Sequence, residues 1–179
     1  MSTPSAADRS ILRMHRVLRP GFGTEAAVYG TILVSGLVAV SSAHGETSGV
    51  VLLTVAITVL VFWGAHVYSG TVARLAEVGE VHDEAHPGLR RAFGQSVRHS
   101  FGMLSAAAIP CLVLAAGILK VVPDVVAIDI ALWSGVVILA LLGYVAFLRR
   151  GSAFWVRILG ALVTASFGVV FVLLKAFVH

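Results

Sequence analysis

The chain has 179 residues, of which 58% are hydrophobic and only 12% charged, with a mean hydropathy of +0.96. A soluble domain of this length carries about a quarter charged residues, so the composition excludes an ordinary water-soluble fold and points to an integral membrane protein of one domain without a separate catalytic module. The formal charge of +4 does not signal nucleic acid, because nearly all the basic residues flank apolar runs, as membrane topology requires.

Residues 1–23 form a basic N-terminal segment. On a helical wheel Ile11, Met14 and Leu18 fall on one side and Arg9, Arg13 and Arg16 on the other, the pattern of a short interfacial helix on anionic lipid. A basic flank that only fixes orientation explains the same residues. The first span runs from about Thr24 to Ala43, with Thr24 as N-cap and Glu25 in the first turn, where the helix dipole favours a carboxylate. Thr31, Ser35, Ala39 and Ala43 make a small-residue ladder at spacing four, suited to close contact with another helix. A basic region before an apolar run that ends in Ser41 and Ala43 also resembles a secretory signal, but the run is longer than a signal core and is read as a retained span.

The most informative stretch is Gly49 to Val122, which reads as one long helical hairpin. Two apolar runs, Val50–Ala73 and Phe101–Val122, are extended by charged segments over 74–86 and 88–100 that meet at His86-Pro87-Gly88. Proline suits a first helical turn and disfavours helix in the residue before it, which places the reversal there. The arms are expected to continue past the lipid as a cytosolic stalk of roughly 20 Å. Folding about Pro87 brings residue i near residue 174 minus i, pairing Glu84 with Arg90, Asp83 with Arg91 and Glu77 with Arg98. Leu75, Val78, Val81, Leu89, Phe93 and Val97 would then form an apolar seam. Pro110, near the middle of the third span, frees a carbonyl one turn earlier and is the gating candidate. The fourth and fifth spans run from about Asp124 to Phe147 and from about Ala153 to Phe177, with Gly160, Thr164 and Gly168 as a second ladder.

Basic residues set the expected orientation. Eleven arginines precede span one, lie in the stalk or surround the Arg149-Arg150-Gly151 turn, and all fall on one side if there are five spans; only Lys120 and Lys175 fall on the other. That split predicts a multi-pass protein of the plasma (cytoplasmic) membrane, with the N-terminus and stalk cytosolic and the C-terminus outside. Arg157 is expected to snorkel to the cytosolic surface.

The polar residues supply the functional candidates. His82 and His86 share the four-residue spacing of a zinc helix, but Asp83 stands where that motif has glutamate, and ion pairing across the hairpin accounts for the nearby charges; no metal site is assigned. His66 lies inside span two, with Trp63, Tyr68 and Ser69 near it, while Glu25 and Tyr29 enter from the same side on span one. By residue counting Glu25, Tyr29, His66 and Tyr68 share a depth, so they are candidates for a proton-sensing or transport site. An aromatic interfacial anchor with Glu25 as a helix-start carboxylate is the plain alternative. On the outer side a Lys120–Asp124 or Lys120–Asp129 pair is the simplest account of the charges, and Asp129 as a cation-attracting group of an outer vestibule is the functional one. Of seven histidines, His66 and His99 differ in depth by this counting, which argues against an axial haem pair, and no cofactor is assigned. Cys111, the single cysteine, reads as a small buried hydrophobe.

The expected fold is therefore an all-α integral membrane protein of five transmembrane helices, with spans two and three extended into a cytosolic helical hairpin. Without a phosphate-cradling loop or a zinc-protease helix it is not read as an enzyme. The expected function is a proton or small-cation channel or transporter acting as an oligomer; the alternative is a non-conducting accessory protein whose hairpin binds a partner. The expected partners are the lipid bilayer, with anionic lipid at the basic N-terminus, and copies of itself or a larger membrane complex.

Overall fold

Among the described residues five helices follow one another, each long and apolar enough to cross a membrane: α1 (Glu25–Ser42), α2 (Ser48–Val78), α3 (Leu89–Ile118), α4 (Asp124–Arg149) and α5 (Phe154–Val178). This computed structural model describes residues 25–42, 45–78 and 88–178, the side chains of 77, 78 and 178 excepted. The segment Arg9–Arg19, the Thr24 cap, Ala43, and Glu80, Val81, His82, Asp83, Glu84, His86 and Pro87 lie outside the described residues.

Turn chemistry sets the helix limits. Gly151 takes φ +69° after α4, and its N–H donates to the Leu148 carbonyl at 3.0 Å, closing the helix with a left-handed residue that glycine adopts without strain. Lys120 takes the same role after α3 at φ 57° although it has a side chain, and its N–H reaches the Gly117 carbonyl at 3.0 Å. Pro123, extended at ψ 146°, stands immediately before α4.

α1 is the central element and touches the other four helices. The reason is local: Ala26, Ala27, Gly30, Thr31, Val34, Ser35, Val38, Ala39 and Ser42 are all buried, a stripe of adjacent pairs every four residues wide enough to face several neighbours. Small side chains let those neighbours close in. A Cβ on Gly30 would stand 2.9 Å from the Met103 Cα, so α3 crosses α1 almost backbone to backbone. Around this crossing Val34, Val38, Val55, Val59, Met103, Ala107 and Leu114 form a continuous apolar core.

Both small-residue ladders are used inside this chain. Thr31 and Ser35 pack on Gly135 of α4. Gly160 and Thr164 face Gly143, Gly168 faces Val136, and the Thr164 hydroxyl reaches the Leu139 carbonyl at 2.8 Å. With the ladders spent on intrachain packing, contacts between copies would have to use other surfaces.

The hairpin of α2 and α3 forms as expected, but in a different register. Residue i faces about 165 minus i: Ser48 adjoins Gly117, His66 lies beside His99, and Gly70 adjoins Ser96. The two arms thus pair about a midpoint roughly one helical turn before Pro87. This register sets position 77 level with Gly88, nearly three turns from Arg98 along α3, which removes the expected Glu77–Arg98 pair. The apolar seam is also corrected. Leu89 and Phe93 are 65% and 53% exposed and Leu75 is exposed, whereas Thr71, Ala92, Ser96 and Ser100 are buried between the arms. Small and hydroxyl-bearing residues allow a closer approach than the apolar ones would.

Candidate functional site

At the arginine-rich end of the bundle, α1 and α2 diverge around a cavity of about 350 Å³. Glu25, Ala26 and Tyr29 line it from α1, Phe62, Ala65, His66 and Ser69 from α2, and Met103 from α3. Phe62, Ala65, His66 and Ser69 fall at helical spacing, which puts them on one face of α2. Three of the four residues grouped by depth are thus brought together: Glu25, Tyr29 and His66. Tyr68 is not; it points away, 72% exposed, one helical step too far round.

His66 also borders a second cavity, of about 300 Å³, on the α3 side. Ser69, Gly70, Ala73, Arg74, His99 and Ser100 complete its wall. The two clefts share His66 and Ser69. The imidazoles of His66 and His99 lie with ring centres 6.3 Å apart and planes within 11° of parallel. The expected difference in depth between them does not exist, because it rested on the register about Pro87. Arg74 is held in place: its Nη1 donates to the Gly70 carbonyl at 2.9 Å and to the Ser96 hydroxyl at 2.7 Å. Ser96 in turn donates to the Ala92 carbonyl at 2.9 Å. Gly70 makes this possible, since a Cβ there would stand 3.1 Å from Arg74 Nη1. Sequence reasoning set His99 aside on depth and missed Ser100 and the Arg74–Ser96 bond. The available signal was Ala92, Ser96 and Ser100 at spacing four on α3, a small-residue stripe facing an arginine.

The other candidates sit elsewhere. Pro110 is fully buried within α3, which continues through it from Leu89 to Ile118. At the opposite end of the bundle Lys120 pairs with Asp124 at 2.8 Å, while Asp129 pairs with Lys175 of α5 at 2.5 Å. Asp129 is therefore neutralised by a partner the turn-based reading did not consider. Arg157 does not snorkel: it is 4% exposed, and its Nε donates to the Ser152 carbonyl at 2.8 Å at the start of α5. Cys111 is a free, half-buried thiol against the core, as expected. Among the described residues no group of three or more His, Cys, Asp or Glu is placed to hold a metal ion.

No protein-family model, curated protein or solved structure matches this chain significantly.

Proposed function

We propose that this chain is an integral protein of the plasma membrane that crosses the bilayer five times, and that the Glu25–Tyr29–His66 pocket is the cytosolic site of a proton or small-cation channel or transporter acting as an oligomer. The observation that carries the reading is the convergence of a carboxylate, a phenol and an imidazole from two helices on one cavity. An imidazole can change charge near neutral pH, and ionisable groups at membrane depth are retained where they face a cavity or one another. Orientation follows from charge. Arg74, Arg90, Arg91, Arg98, Arg149, Arg150 and Arg157 gather at the pocket end and Lys120 and Lys175 at the other, which favours the pocket end in the cytosol. α2 and α3, at 31 and 30 residues, exceed a hydrocarbon core of ~30 Å by roughly 15 Å, and the excess is assigned to a cytosolic hairpin.

Beyond the pocket the core of this chain is apolar and close-packed around Val34, Val38, Val59 and Met103. An ion leaving the pocket therefore passes between copies, or through a rearrangement of α3 at Pro110, where the backbone ladder is already interrupted. The test is ion flux into proteoliposomes, read by an internal pH dye under imposed proton and potassium gradients. Wild type is expected to conduct, with Glu25→Gln and His66→Ala each reducing flux several-fold. Flux indifferent to both substitutions would remove this site.

A second reading rests on the exposed apolar residues Leu75, Leu89 and Phe93 near the hairpin end. Contiguous apolar surface in water marks an interaction site, so an accessory protein that docks a partner through the hairpin fits them. Absence of flux from folded, inserted protein would favour it.

A further inference from the structure

We propose that the cleft bounded by His66, Arg74 and His99 binds a phosphate-class anion, supplied either as free phosphate or as the headgroup of an acidic lipid. Among the described residues the cleft's charged and titratable lining is Arg74 and two histidines, with Ser69 and Ser100 beside them and no carboxylate. A cleft whose fixed charge is a guanidinium, flanked by imidazoles and hydroxyls, favours anions over cations.

Geometry narrows the ligand. The Arg74 guanidinium is fixed through Nη1 alone, by the Gly70 carbonyl and the Ser96 hydroxyl. Nε and Nη2 have no partner among the described residues, and they form one edge of the planar fork that matches two oxygens of a phosphate. Gly70 leaves the space that lets the guanidinium fold back to this position. The parallel imidazoles of His66 and His99 add two further N–H donors on neighbouring helices. The cavity of about 300 Å³ opens where α2 and α3 pass from apolar to charged sequence, the depth of a lipid headgroup.

Beside the imidazoles stand Arg74 on α2 and the exposed Arg98 next to His99, while Glu25 and Tyr29 face His66 from α1. A bound phosphate accepts from the guanidinium edge and from the imidazole N–H groups together. The proposal does not require transport, and a protein without flux would still bind.

The test uses the full chain in phosphate-free detergent. Inorganic phosphate and a short-chain phosphatidate are titrated separately by calorimetry at one fixed pH, with the histidine ring resonances followed by NMR. Saturable binding that moves the His66 and His99 signals is expected. Arg74→Gln should weaken it by at least about tenfold, with Arg74→Lys between the two because a point charge replaces the fork. His99→Asn should weaken binding; His99 is exposed and outside the Arg74–Ser96 contact, so this variant tests the site even if Arg74→Gln folds poorly. Binding of both probes identifies the phosphate group itself as the ligand, phosphatidate alone identifies a lipid headgroup, and inorganic phosphate alone identifies the free ion. No saturable binding by folded protein would overturn the proposal, as would binding that His99→Asn and Arg74→Gln both leave unchanged.

Discussion

Replacing Gly30 by alanine isolates the contact on which the bundle depends. The new Cβ would stand 2.9 Å from the Met103 Cα and 3.1 Å from its carbonyl oxygen, where carbon contacts normally settle at ~3.5–4.0 Å. Both obstacles are backbone, so no side chain can swing aside, and α1 and α3 must separate. Overpacking of this kind costs about 1–3 kcal/mol, against up to about 1 kcal/mol gained from exchanging glycine for alanine within a helix. Gly64 supplies the matched control: it is also inside a helix, and nothing lies within 4 Å of a Cβ added there. Gly64→Ala should therefore be neutral or slightly stabilising, and the difference between the two variants measures the packing alone. For a chain of this size a difference of about 2 kcal/mol separates the melting points by roughly 5 °C. The single half-buried Cys111 provides the assay, since a thiol-reactive dye reports its exposure on heating. A melting point for Gly30→Ala equal to or above that of Gly64→Ala would refute the close crossing of α1 and α3.

Two further predictions address the register and the outer helix. On a Cys111→Ser background, Gly70→Cys with Ser96→Cys should form a disulfide under mild oxidation, because a Cβ at Gly70 lies 3.6 Å from the Ser96 Cβ, while Glu77→Cys with Arg98→Cys should not; the reverse outcome would restore the register about Pro87. Thr164→Val removes the hydroxyl that reaches the Leu139 carbonyl at 2.8 Å and should lower stability by about 0.6–1.7 kcal/mol in the same thermal assay, whereas an unchanged melting point would show that α4 and α5 hold together by packing alone.

Much of the architecture was legible in the sequence because apolar runs and turn residues act locally. Gly151 and Pro123 mark helix boundaries wherever the helices pack, and the long arms of the hairpin follow from uninterrupted helix-forming sequence on both sides of the reversal. What was not legible depended on a choice of register. Placing the reversal at Pro87 was sound local chemistry, yet close packing of Gly70 on Ser96 and of Gly117 on Ser48 fixes the arms about one turn away. That single offset separated His66 from His99 on paper and matched Glu77 with Arg98. The ladders show a related limit: spacing announces a close helix contact but not whether the neighbour belongs to the same chain. Ser35 against Gly135 and Thr164 against Gly143 answer that question inside this one. For the candidate site, depth counting sufficed for Glu25, Tyr29 and His66; rotation about α2 decided against Tyr68, and residue counting along the membrane normal carries no information about rotation.

The two functional proposals share a geometric premise, that the Arg-rich end of the bundle faces the cytosol and that the five helices cross the membrane alternately. Single cysteines on the Cys111→Ser background test this most directly, by labelling whole cells with a membrane-impermeant maleimide before and after permeabilisation. Glu46→Cys and Lys120→Cys lie in turns at one end of the bundle, and Gly88→Cys and Arg150→Cys lie at the other, all at exposed positions. The account predicts that the first pair labels in intact cells and the second only once the membrane is opened. Labelling of Gly88→Cys and Arg150→Cys from outside, or a split within either pair, would contradict it.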